Sequence, residues 1–118
     1  MKIEIKIGEI AHVDISYEQL LCFFEKDSFA MNETTFYFDD DDEDIHYFGC
    51  LKGYENPYCV GYCDIPDGCD FLTARELFEA KIFDHRSIKD RWEHLVFVEI
   101  GATPAQEWLE LYWHYFYP

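Results

Sequence analysis

Positive charge is scarce in this chain. Nine Lys and Arg stand against 25 Asp and Glu in 118 residues, a formal net charge of −16. A field of that sign repels phosphate backbones and anionic lipid, so direct nucleic-acid binding and membrane-surface binding are not expected. Long apolar runs are missing too. Leu20-Leu21-Cys22-Phe23-Phe24 is the longest clear one and is far too short to cross a bilayer. The start of the chain, Met1-Lys2-Ile3-Glu4-Ile5-Lys6-Ile7, alternates charged and apolar residues as a strand does, with no apolar stretch of a secretory signal. A cytoplasmic protein is therefore expected. Its five cysteines, an odd number, then read as buried reduced thiols.

Catalytic signatures are absent as well. Gly8, Gly49, Gly53, Gly61, Gly68 and Gly101 match no phosphate-cradling loop. His12, His46, His85, His94 and His114 are scattered, and no nucleophile signature surrounds any cysteine. Carboxylates are so numerous that no pair stands out as a glycosidase-type acid and base. Cys59 and Cys63, if both lie in one strand, sit about 13 Å apart at roughly 3.3 Å per residue, too far to share a zinc ion. The expectation is a protein that is no enzyme and has no cofactor or metal.

What is present is apolar and aromatic. Hydrophobic residues make up 49% and aromatics 19%, enough for one folded domain spanning 1–118. The aromatics exceed what such a core needs, which points to some of them lying on a binding surface. The densest feature is Asp39-Asp40-Asp41-Asp42-Glu43-Asp44, a six-carboxylate run flanked by Thr34-Thr35-Phe36-Tyr37-Phe38 and Ile45-His46-Tyr47-Phe48. An EF-hand needs Gly at loop position six and Glu at twelve. A loop starting at Asp40 puts Ile45 and Leu51 there, and one starting at Asp39 puts Asp44 and Cys50, so calcium does not fit. The run belongs to a wider acidic stretch, since residues 27–74 hold twelve acids and only Lys52. Residues 75–91 carry Arg75, Lys81, Arg86, Lys89 and Arg91, balanced by their own Glu76, Glu79, Asp84 and Asp90.

Periodicity gives the elements. Ile3, Ile5 and Ile7 face Ala11, Val13 and Ile15 in an amino-terminal hairpin. Ser16-Tyr17-Glu18-Gln19 opens a helix as a capping box, with Tyr17, Leu20, Leu21 and Phe24 on its inner face. Strands are predicted at 34–39, 45–51 and 58–64, the acidic run forming a hairpin tip. Thr73-Ala74-Arg75-Glu76 caps a second helix with Leu77, Phe78 and Ile82 inward, and Ser87 caps a third through Ile88, Trp92 and Leu95. A strand follows at Val96–Ile100. Thr103-Pro104-Ala105-Gln106 then opens a last helix, with Trp108, Leu109, Tyr112 and Phe116 inward. This pattern predicts an α+β fold: a mostly antiparallel sheet of about five to six strands with helices packed on one face.

The expected binding surface combines Asp39, Asp40, Asp41, Asp42, Glu43, Asp44 and Asp64 with Tyr37, Tyr47, Tyr54, Tyr58 and Tyr62. Its expected partner is a basic protein, drawn in by charge and held by aromatic anchors. Trp113, Tyr115 and Tyr117 are left over from the last helix and suit a buried face, a partner or a second copy of the chain. In length, α+β pattern, acidity and lack of a catalytic motif, with Asp39–Asp44 as local carrier, the chain resembles small bacterial immunity proteins that neutralise nuclease toxins. It is similar in the same respects to phage-encoded acidic inhibitors that mimic DNA. That resemblance implies a protein–protein inhibitor of a nucleic-acid-processing partner. Two other readings stay open: an enzyme or ligand binder with a pocket between sheet and helices, and a metal-stabilised interaction module.

Overall fold

The computed structural model describes residues 5–6, 15–40 and 42–116, with the backbone alone for residues 5, 6, 42, 43 and 113. Its elements in chain order are β1 (Ile5–Lys6), α1 (Tyr17–Lys26), β2 (Thr34–Phe38), β3 (Asp42–Cys50), β4 (Tyr58–Gly61), β5 (Cys69–Phe71), α2 (Ala74–Glu79), β6 (Leu95–Ile100), β7 (Thr103–Pro104) and α3 (Ala105–Tyr112). The sheet runs β1-β6-β2-β3-β4-β5, every pairing antiparallel, with β7 as a short hairpin partner of β6. The fold is α+β, as the pattern predicts.

Phenylalanine makes the core. Phe36, Phe38, Phe48 and Phe97 on the sheet meet Phe24 of α1, Phe78 of α2 and Phe83 of the following turn, all fully buried. The α3 side chain Trp108 joins through Phe23, their rings 5.3 Å apart and edge to face. All three helices thus cover one face of the sheet. Residues on the alternate face include Thr35, Tyr37, Tyr47 and Cys59, which are half-buried.

The α1 capping box forms in full: Ser16 Oγ accepts from Gln19 N, and Gln19 Oε1 accepts from Ser16 N. Thr73 likewise accepts from Glu76 N at the start of α2. Other expectations need correction. The α2 helix ends at Glu79, before Ile82. Residues 87–95 do not form an α-helix. The Lys89 amide is taken by the Phe78 carbonyl at 3.0 Å, and only a turn and a 3-10 segment at Trp92–His94 follow. The Thr103 cap is replaced by a hairpin: Gly101 and Ala102 both have φ of 61°, and Ile100 pairs with Thr103 across them. That is the geometry of a tight type I′ turn. Strand β4 stops at Gly61 because Tyr62 enters the left-handed region with φ of 55°. Cys63 therefore lies outside the strand, and the in-strand separation from Cys59 does not apply. Of the five thiols only Cys50 is fully buried; Cys59, Cys63 and Cys69 are half-buried and Cys22 is exposed. The amino-terminal pairing of Ile3, Ile5 and Ile7 with Ala11, Val13 and Ile15 lies largely outside the described residues, although Ile5 is placed opposite Phe97 of β6.

Candidate functional site

Strand β3 begins inside the acidic run, so the run divides. Asp39 and Asp40 form the turn, while Asp42, Glu43 and Asp44 are strand residues, Asp42 opposite Phe38. The turn carboxylates face the chain's own bases. Asp40 Oδ1 accepts from Arg91 at 2.5 Å, and Arg86 lies 3.7 Å from its other oxygen. Asp39 Oδ1 is 3.0 Å from His94 Nδ1, and the Asp39 amide donates to the His94 carbonyl. Burial works to raise the Asp40 pKa, but the Arg91 hydrogen bond and charge outweigh it and hold the carboxyl below its ordinary range.

Arg91 is the inward anchor of this network. It is 3% exposed, its guanidinium carbon stands 3.9 Å above the Phe38 ring, and it reaches the Phe83 carbonyl at 3.5 Å. The self-balanced basic segment expected from sequence is thus only partly realised. Arg75 does bond Glu79, together with Glu18 of α1, and Lys81 bonds Asp90. Arg86 bonds Asp84 at 3.4 Å as well as lying near Asp40, and Arg91 reaches back to Asp40.

Beside Arg91 opens a cleft of about 750 Å³. Asp44, Ile45 and His46 of β3 form one wall, Tyr62, Cys63 and Asp64 after β4 another, and Phe83, Asp84 and Arg91 close it. Three carboxylates and one guanidinium line it; Arg91 is matched by Asp40, and Asp84 lies 3.4 Å from Arg86.

The walls are fixed by local bonds. Phe83 and Arg86 exchange both backbone hydrogen bonds around Asp84 and His85, which have φ of 56° and 64°. Non-glycine residues in that region cost free energy. Asp64 offsets the cost, its two oxygens accepting from the Asp84 amide at 2.9 Å and the His85 amide at 2.8 Å. The His85 amide bond is the largest influence lowering the Asp64 pKa. His46 packs its ring on Phe83 at 5.0 Å and on Phe36 and Phe38, while its Nδ1 bonds the Tyr62 carbonyl. A carbonyl only accepts, so Nδ1 carries the hydrogen and Nε2 is left as the acceptor of the neutral ring.

Of the sequence-predicted residues, Asp44, Tyr62 and Asp64 meet in this cleft. Tyr62 is 77% exposed. Tyr54 is exposed on the β3–β4 loop and does not line the cleft. Tyr37 and Tyr47 lie on the sheet face away from the helices, and burial raises the Tyr47 pKa. Tyr58 turns to the other face and packs on Phe24 at 5.1 Å, so the five tyrosines do not share one surface. Asp41 and Tyr117, and the side chains of Asp42, Glu43 and Trp113, lie outside the description. Tyr115 is exposed at the end of α3. His46, Phe83, Asp84 and Arg91 were not expected in a site. Among the described residues no group of three His, Cys, Asp or Glu is placed to hold a metal, and no helix is long and apolar enough to cross a membrane. Comparison with family models, curated proteins and solved structures finds no match to this chain.

Proposed function

We propose that this is a non-catalytic, cytoplasmic binding protein that captures a basic protein partner and inhibits it, with a cationic side chain of that partner entering the Asp44–Asp64–Asp84 cleft. The observation that carries the reading is the excess of negative lining: Asp44, Asp64 and Asp84 stand beside the rings of His46, Tyr62 and Phe83, and the nearby cations Arg91 and Arg86 are already engaged, Arg91 by Asp40 and Arg86 by Asp40 and Asp84. A guanidinium or ammonium group finds hydrogen-bond acceptors and a ring face there at once. The wider charge of −16 supplies long-range steering. The immunity-type and DNA-mimic resemblance fits a partner that itself processes nucleic acid, such as a nuclease toxin.

The test is capture from extract of the source cell on immobilised protein, eluted by a salt gradient. Wild type should retain a basic protein. The D44N/D84N variant, which spares the clamp residue Asp64, should release it at distinctly lower salt. Equal retention by the two, or capture of no basic protein, would overturn the proposal.

One observation favours a second reading, a small-ligand or enzymatic pocket: His46 and Cys63 line the same cleft. A panel of small polar ligands should then raise the melting temperature of wild type and not of His46→Phe.

A further inference from the structure

The polypeptide between β4 and β5 folds Cys63 and Cys69 toward each other. The Ile65 carbonyl accepts both the Gly68 amide at 3.0 Å and the Cys63 thiol at 3.7 Å, which draws the Cys63 sulfur into the turn that delivers Cys69. Cys69 is held on the other side by its strand position opposite Val60. Both side chains pack against the edge of the core, and both are half-buried. Cys63 also lines the open cleft, which gives a small oxidant a route to its sulfur.

We propose that Cys63 and Cys69 form an oxidisable dithiol, closed to an intramolecular disulfide by hydrogen peroxide and reopened by a thiol reductant. The Cys63 thiolate attacks one peroxide oxygen, the O–O bond breaks, and hydroxide leaves with a sulfenic acid on Cys63. The Cys69 sulfur then attacks the Cys63 sulfur. The S–S bond forms, the S–O bond breaks, and the departing hydroxide takes the Cys69 proton to give water. Two thiols and one peroxide thus yield one disulfide and two waters. Burial, followed by the neighbouring Cys63, pushes the Cys69 thiol up to about 11, so Cys69 stays protonated at neutral pH. Cys63 makes the first attack because it is the one that lines the open cleft.

The test is oxidation of the reduced, folded chain with hydrogen peroxide, then alkylation and digestion on the amino side of aspartate. Cleavage before Asp64 and Asp67 separates the two cysteines. The expected product is a pair of peptides cross-linked through Cys63 and Cys69, two hydrogens lighter than their sum and released by dithiothreitol. In Cys69→Ser, Cys63 should stop at the sulfenic acid, trapped by dimedone; in Cys63→Ser no cross-link should form. Full alkylation of wild-type Cys63 and Cys69 after peroxide would overturn the proposal. A bridge to any other cysteine, or between two chains, would do the same.

Discussion

Arg91 sits among phenylalanines, yet it keeps its charge beside Asp40, a carboxylate fifty-one positions away. Removing either partner breaks this close pair at the inner, buried end of the network, although Asp40 keeps Arg86 3.7 Å away. Arg91→Met should therefore cost about 3 kcal/mol and Asp40→Asn about 2 kcal/mol, read from urea midpoints. The double variant should cost less than their sum, because both changes delete the same pair. Asp44→Asn, on an exposed residue, should change stability little. The sequence treats these carboxylates as equals in one run; only the tertiary pairing separates them, so no local signal could have. A second residue-level consequence concerns pH. Backbone and side-chain bonds from Ser87, with Lys81, lower the Asp90 pKa from 3.8 to about 2. Its folded value lies below its unfolded one, so its contribution is present above 3.8 and is lost as pH falls toward 2. Asp40 and Asp64 shift in the same direction. Wild type should lose stability steeply over that window, and Asp90→Asn should show a shallower acid limb from a lower neutral plateau. Parallel limbs would refute the assignment.

The elements that local chemistry specifies were legible before any coordinates. Ser16 and Gln19 write the start of α1, and both reciprocal bonds form. Ser16→Ala should cost about 1 kcal/mol. Thr103-Pro104 reads equally well as a helix start, but the turn before it decides otherwise. Gly101 carries φ of 61°, and a Cβ there would meet the Ala30 carbonyl oxygen at 2.2 Å. The following Ala102 bears the same φ without glycine's freedom. The two positions should thus respond oppositely. Gly101→Ala should destabilise by about 2 kcal/mol, from left-handed strain together with a backbone clash. Ala102→Gly should stabilise by about 0.5–1 kcal/mol by relieving strain of the same kind. Thermal unfolding of the two variants beside wild type checks both signs. The turn at Asp84-His85 was illegible for a related reason. Neither residue announces a left-handed pair as Asn-Gly does, and its stabiliser, Asp64, comes from another part of the chain.

For the molecule as a whole, composition and alternation were enough to predict one antiparallel sheet with helices on one side. They could not place β6 between β1 and β2, because that order is set by pairings remote in sequence. Charge acts at the same scale, and in two directions. Within the chain, −16 is dominated by repulsion, since the described ion pairs engage only part of its 25 acids. Between chains, the same field attracts a basic partner. Salt screens both, the Debye length shrinking from about 30 Å at 0.01 M to about 8 Å at 0.15 M. Added sodium chloride should therefore raise the urea midpoint of the isolated protein while weakening its capture of the proposed partner. The D42N/E43Q/D44N variant, which leaves the Asp39 and Asp40 pairings in place, should flatten both salt slopes together. A urea midpoint that falls with salt would mean that the internal pairs around Asp40, Arg86 and Arg91 outweigh self-repulsion. A stability slope that flattens while the capture slope does not would place the partner's contact away from the β3 end of the acidic run.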